Sequence, residues 1–448
     1  MSTYTPPGAR GDKRLNSTNY DHPQETNLLN VHKAMEYNLL GQPILRTVQS
    51  SSGFDPEGTD AFGRLQVAQP QTLLDSQNVY KENTKFYTVT TGSGSTTFDA
   101  DASLVDMDVT TASGDEVVKE TKRVFPYQPG KALEIMATFC MEPAKTGLRQ
   151  RVGYFGVNNG IFIEQDDDTV YLVLRSKSSG TITENRVAQS SWNVDKLDGT
   201  GNSGITLDVT KSQIFFMDIE WLGVGTVRCG FVINGQFVFA HKFHHANTAN
   251  APNGTYMTTA CLPIRYEITN TGTTASASTL KQICTSVVSS GGYTPRGLNH
   301  ISGRGLTYYT LPSAGTFYNL VSIKLDPDYL DDIVIPTEIS VITDSNLNIN
   351  FKLVVGATFA SSLVFSNNTD SVQASTTNTA VTSQGTELAT RFVVNKGESR
   401  GFSREELEVL QLERDNNGAI TLSLIATADT PNAKVSGNIT FIEAIRGR

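Results

Sequence analysis

Charge is scarce in this sequence. Only 18% of its 448 residues are Asp, Glu, Lys or Arg, against about 25% in ordinary globular proteins. That deficit excludes a coiled-coil rod, whose surface needs dense Glu and Lys. Tryptophan occurs twice, cysteine four times and histidine six times. Cys140, Cys229, Cys261 and Cys284 stand too far apart for a zinc knuckle or a redox pair. Each lies in or beside an apolar, strand-like segment, so four buried thiols are expected. No apolar run reaches the roughly 18 residues of a membrane-spanning helix, and no membrane insertion is expected. The first fourteen residues are polar and lack the apolar centre of a secretory signal, so synthesis in a cytoplasm is expected. The net charge is −9, and no dense basic stripe offers itself to nucleic acid.

Thr, Ser and Asn fill the space left by charge, with 37 glycines. These residues favour strands and turns over long helices. The length suits two or three domains. Residues 1–80 read as an extended N-terminal arm. Pro6, Pro7, Gly8, Gly11 and Pro23 break its start, and Leu28, Leu29, His32, Met35 and Tyr37 suggest a short amphipathic helix within 27–40. Further along, Ile44, Leu45, Phe54, Phe62, Leu65 and Val67 are apolar anchors without a core of their own.

Residues 81–292 read as an antiparallel sandwich of the jelly-roll or concanavalin-like kind. Val105, Met107 and Val109 alternate with polar residues. So do Phe215, Met217, Ile219 and Trp221, with Phe216, Asp218 and Glu220 expected on an outer face. Asn158-Asn159-Gly160 and Asn234-Gly235 each separate alternating apolar runs, the strongest short-range hairpin signal. Asp166-Asp167-Asp168 reads as a solvated tip. No helical crossovers separate the strands, which excludes a parallel α/β domain. After a Ser/Gly/Pro boundary, residues 298–448 read as a smaller β-sandwich. Ser403–Leu412 is a candidate helix, with Ser403 as N-cap and Glu406 closing a capping box. The fold class is therefore all-β: an arm and two sandwiches.

The chemistry-bearing residues form no catalytic pattern. His241 and His245 end a strand, without the His-Glu-x-x-His helix of a zinc protease. A metal there needs a further ligand such as Asp218 or Glu220. Asp195, Asp198, Thr200 and Asn202 offer oxygens as a loose calcium loop, and calcium is the one cofactor considered. Glu134, Asp218, Glu220 and Glu267 lie in strands, and a glycosidase needs two such carboxylates at a fixed separation. Nucleophile elbow, P-loop and dinucleotide fingerprint are all absent, so no enzyme is expected. Trp192 and Tyr293 are the candidate ligand-facing aromatics, followed by Tyr308 and Tyr309; core or interface packing is the favoured reading for each. Arg265 and Glu267 share one strand face, with Tyr266 and Ile268 on the other, and suit cross-strand pairing.

Several longer strings resemble a known group. Ala61-Phe62-Gly63-Arg64-Leu65-Gln66-Val67 followed by Thr72-Leu73-Leu74-Asp75-Ser76 is similar to a stretch in virion structural proteins of tailed bacteriophages, especially marine phages and cyanophages. Asp218 to Gly225, Leu262 to Ile268 and Ile283-Cys284 are similar to further shared segments. The resemblance spans about residues 40–295. It implies a virion component: a fibre, a decoration protein or a tail or baseplate attachment protein. It implies self-association as a homo-oligomer, with a trimer favoured, and contacts with other virion proteins. It supplies no catalytic residues. Phe62, Arg64, Leu65 and Asp75 are the candidate interface residues, with the arm as the anchor. A host-surface glycan is the further candidate partner, because a sandwich displayed in many copies binds weak epitopes by avidity.

Overall fold

The computed structural model describes residues 69–248, 254–402 and 410–444, with the backbone of two strands nearer the N-terminus. Those strands, β1 (Met35–Tyr37) and β2 (Pro43–Leu45), pair antiparallel. They belong to a unit of residues 1–67, distinct from the unit of residues 68–448. The helix expected within 27–40 is not continuous through Met35–Tyr37, because a helix of that length is marginal and strand pairing competes with it. The helix expected at Ser403–Leu412 falls for the most part outside the described residues, and Leu410–Leu412 are not helical.

The first sandwich holds β3 (Gln71–Ser76), β4 (Phe86–Thr91), β5 (Ser95–Asp99), β6 (Leu104–Val109), β7 (Glu116–Thr121), β8 (Leu133–Cys140), β9 (Leu148–Phe155), β10 (Gly160–Asp166), β11 (Thr169–Ser176), β12 (Thr183–Ala188), β13 (Gln213–Ile219), β14 (Val227–Ile233), β15 (Gln236–Phe243), β16 (Ile264–Asn270) and β17 (Ser278–Ser289). One sheet has seven strands in the order β12-β11-β10-β9-β16-β7-β4. The other has eight, with β15-β14-β13-β8-β17-β6-β5 in line and β3 added beside β17. Gln71–Ser76, placed in the arm by the sequence, is thus a strand of this sheet, in register with Ser289–Thr285.

Alternation decides the core. Leu133, Ile135, Ala137 and Phe139 of β8 are buried, and the residues between them are half-buried. The buried set packs against Tyr154, Ile161, Ile163, Tyr266 and Ile268 of the opposite sheet. Phe215, Met217 and Ile219 join the same core as expected. Asn234 and Gly235 both take positive φ, 52° and 76°, as a two-residue type I′ hairpin turn requires. The Asn158-Asn159-Gly160 hairpin turns differently. Gly160 already pairs with Phe155, and the buried Asn159 pins the loop by donating to Thr258 Oγ1 at 2.6 Å and accepting from the Thr258 and Lys177 amides.

Asp218 and Glu220 lie off the core face as expected, yet both are buried; Arg228 pairs with Asp218, and the ring of Phe239 lies over Arg228 at 5.0 Å. One expectation about this sandwich is corrected. Of the four thiols, all free, Cys229 and Cys261 are buried but Cys140 and Cys284 are only half-buried.

Residues 298–443 form a second pair of antiparallel sheets, of five and six strands. Their shared core includes Leu320, Ile323, Phe351, Leu353, Leu424, Ile439 and Phe441. Among the described residues the helical elements are two three-residue 3-10 turns, Gln189–Ser191 and Pro327–Tyr329. The protein is almost entirely β-sheet, organised as antiparallel sandwiches.

Candidate binding face

The outer face of the seven-stranded sheet carries an unusual arrangement. Phe155, Phe162 and Val173 form a small apolar cluster there, apart from the main core. The two rings lie 4.4 Å apart. Gly153 makes room for this floor, since a Cβ on it would collide with Phe162. Three guanidinium groups roof the rings: Arg151 and Arg175 over Phe162 at 5.3 and 5.1 Å, and Arg265 over Phe155 at 5.6 Å. Cation–π attraction and the low hydration of guanidinium favour this layering.

The roof is held by carboxylates in a ladder that crosses the sheet. Arg414 of the second sandwich pairs with Glu120 of β7 at 2.7 Å. Glu120 also takes Arg265 of β16 at 3.0 Å, and Arg265 takes Glu267 at 2.9 Å. Glu267 accepts from Arg151 of β9 at 3.3 Å and Arg149 at 3.4 Å. Arg151 reaches Glu164 of β10 at 2.5 Å, and Glu164 reaches Arg186 of β12. Arg186 ends the ladder on Asp166 at 2.6 Å, with its guanidinium over the Tyr171 ring at 4.2 Å. Beside it Arg175 of β11 pairs with Glu184 at 2.8 Å. With Asp331, which holds Arg414 from the far side, six arginines face six carboxylates.

Burial grades along this ladder. Glu164 is fully buried, whereas the Arg186 side chain is 33% exposed. The rim of Arg149, Asp166, Glu184 and Arg186 is therefore the part that meets solvent. Burial alone raises the Glu267 carboxyl, but the fields of Arg265, Arg151 and Arg149 outweigh it and hold the group below its ordinary value. Glu267 is thus ionised and does not serve as a proton donor. The carboxyls that burial does raise, Glu134 and Glu413, are not rungs of this ladder.

The sequence pointed to Arg265 and Glu267 and missed the rest. A signal was present: Arg149 with Arg151, Glu164 with Asp166, Glu184 with Arg186, and Arg265 with Glu267 are all charges at alternate positions in strands. Such pairs share one face.

The other predicted residues fall elsewhere. Trp192 is a core residue: it is 3% exposed, it packs with Phe231, and its indole N–H donates to the Val187 carbonyl at 3.1 Å. The favoured core reading therefore holds for it, and the candidate ligand-facing role is set aside. Tyr293 is half-buried, as are Tyr308 and Tyr309, and burial pushes the Tyr293 hydroxyl up. Asp75 is exposed and ion-paired with Lys85 at 2.6 Å. Phe62, Arg64 and Leu65 lie outside the described residues.

His241 accepts from the Asn193 amide through Nδ1 at 3.2 Å, and His245 bonds the Gly225 carbonyl while stacking on Tyr256. Asp195 accepts backbone amides from Leu197 and Ser203, and Asp198 caps Thr200, so this loop is a set of Asx turns. Among the described residues no group of three or more His, Cys, Asp or Glu is placed to hold a metal ion.

No protein-family model and no curated protein matches the chain. It is similar in part to several solved structures. One is the CBM2 module of the evolved Dit of Lactobacillus casei BL23 phage J-1, at 6% identity, 50% of this chain, 99% of that one and a TM-score of 0.33. Another is a Shewanella oneidensis MR-1 protein of unknown function, at 9% identity, 47% and 82% coverage and a TM-score of 0.29. A third is the botulinum neurotoxin serotype C1 binding domain, at 10% identity, 81% and 94% coverage and a TM-score of 0.30. At these TM-scores the likenesses carry no argument about ligand or function.

Proposed function

We propose that the protein is a non-catalytic receptor-binding module, and that the outer face of its seven-stranded sheet is the recognition surface. The observation that carries this reading is the ion-pair ladder. Desolvating so many charges is costly, and an apolar or freely solvated face serves stability as well or better. What the ladder adds is a plane of donors and acceptors locked by one another on a rigid sheet. Preorganisation of that kind is what specific polar recognition requires. Competition tests it: purified protein blocks adsorption of the parent particle to its cells, and Arg186→Ala with Tyr171→Ala loses the block. Equal blocking by the variant refutes the reading.

The particle in question is, on this reading, a tailed-phage virion. The resemblance of Ala61–Val67, Thr72–Ser76, Asp218–Gly225 and Leu262–Ile268 to virion structural proteins supports it. In that setting the protein folds in the host cytoplasm and joins the particle as a homo-oligomer, anchored by its N-terminal arm to other virion proteins. Deleting residues 1–50 and measuring incorporation into particles tests the anchor; undiminished incorporation refutes it.

A further inference from the structure

The rim of the face indicates which chemistry it accepts. Arg186 spends Nε and Nη2 on Glu164 and Asp166, and among the described residues its Nη1 takes no partner. Asp166 uses Oδ2 and Glu184 uses Oε1 for their ion pairs, which leaves Oδ1 and Oε2 without a hydrogen bond among the described residues. The half-buried Tyr171 sets its ring directly beneath the Arg186 guanidinium. Open donors and open acceptors therefore stand side by side, on groups whose charges cancel pairwise. A polyanion gains little from guanidiniums that are already neutralised, and it meets a protein of net charge −9. A sugar hydroxyl, which donates and accepts at once, matches both kinds of open site.

We propose that this rim binds an uncharged, polyhydroxylated glycan through Arg186, Asp166, Glu184 and Tyr171. The inference rests on the recognition-face reading and names its ligand class. The test titrates the full chain by biolayer interferometry against dextran, mannan and amylose on one side, and alginate, hyaluronate and heparin on the other. Each is measured at 50 and 500 mM NaCl. The expected result is binding to at least one neutral glycan, with affinity changing by less than about twofold across that salt range, since paired charges are little affected by screening. Arg186→Gln and Glu184→Gln each weaken it by about tenfold, the loss of one charge-assisted hydrogen bond. The control Arg400→Gln, on the second sandwich, leaves it unchanged. Thermal melts establish that each variant is folded.

Binding confined to acidic glycans and falling steeply with salt overturns the ligand class but leaves the face as the receptor site, provided that Arg186→Gln still weakens it. No glycan binding, with cell adsorption still dependent on Arg186, also overturns the ligand class and points to a protein receptor. Adsorption that ignores Arg186 and Glu184 altogether overturns the face itself.

Discussion

Glu267→Ala is the sharpest perturbation of the ladder. This carboxylate is buried and accepts from Arg265, Arg151 and Arg149. Leaving a buried charge without its partner costs about 3–5 kcal/mol. Here Arg265 keeps Glu120 and Arg151 keeps Glu164. Arg149 loses the acid it pairs with, but it is itself partly exposed. The expected loss is therefore at the low end, about 3 kcal/mol. Both tryptophans, Trp192 and Trp221, lie in the first sandwich. Urea unfolding followed by their fluorescence at pH 7 thus reports that sandwich alone. The same residue sets a pH signature. Its folded-state pKa lies below the ordinary 4.5, so its stabilisation is fully present above that value and is lost as pH falls beneath it. Glu267→Gln removes that share of the acid slope. A loss under about 1 kcal/mol in urea, the range of exposed surface pairs, refutes the claim that the ladder is desolvated.

Other outcomes follow from the same geometry. Gly235→Ala forces a side chain into the left-handed region at φ 76° and costs about 1–2 kcal/mol in the same urea assay. Burial, then the neighbouring His244, depresses His241 to about 4 from 6.5. Its neutral form therefore stabilises the fold above pH 6.5, and that contribution drains away as pH falls toward 4; His241→Gln flattens stability over that window. Arg414→Ala breaks the bridge from Glu120 to Asp331, and calorimetry is expected to show the two sandwiches melting further apart in temperature.

Much of the fold was legible because a sandwich strand with one buried face writes its pattern at period two. Phe215-x-Met217-x-Ile219 and Tyr266-x-Ile268 state their burial outright. The Asn234-Gly235 turn was equally plain, since few other dipeptides tolerate two positive φ values. The polar side of the sheets was harder. Asp218 and Glu220 read in sequence only as outer-face acids, and the cover over Asp218 comes from Arg228 and Phe239 of other strands. The ladder was least visible of all. Glu120 and Arg265 are separated by 145 positions, and only strand order places them side by side. Trp192 was ambiguous for the opposite reason: it sits among polar residues in sequence, and only the fold shows that it fills the core beside Phe231. The helix expected within 27–40 was overread at Met35–Tyr37, because period alone does not distinguish two turns of helix from a short strand.

The central claim is that the outer face of the seven-stranded sheet meets the receptor. Hydrogen–deuterium exchange addresses it most directly, comparing the protein alone with the protein bound to surface polysaccharide prepared from cells that it adsorbs to. Slowed exchange within Gly160–Ala188, the strands that carry Glu164, Asp166, Tyr171, Glu184 and Arg186, is the predicted footprint. Protection confined to the second sandwich, with 160–188 unchanged, contradicts the account.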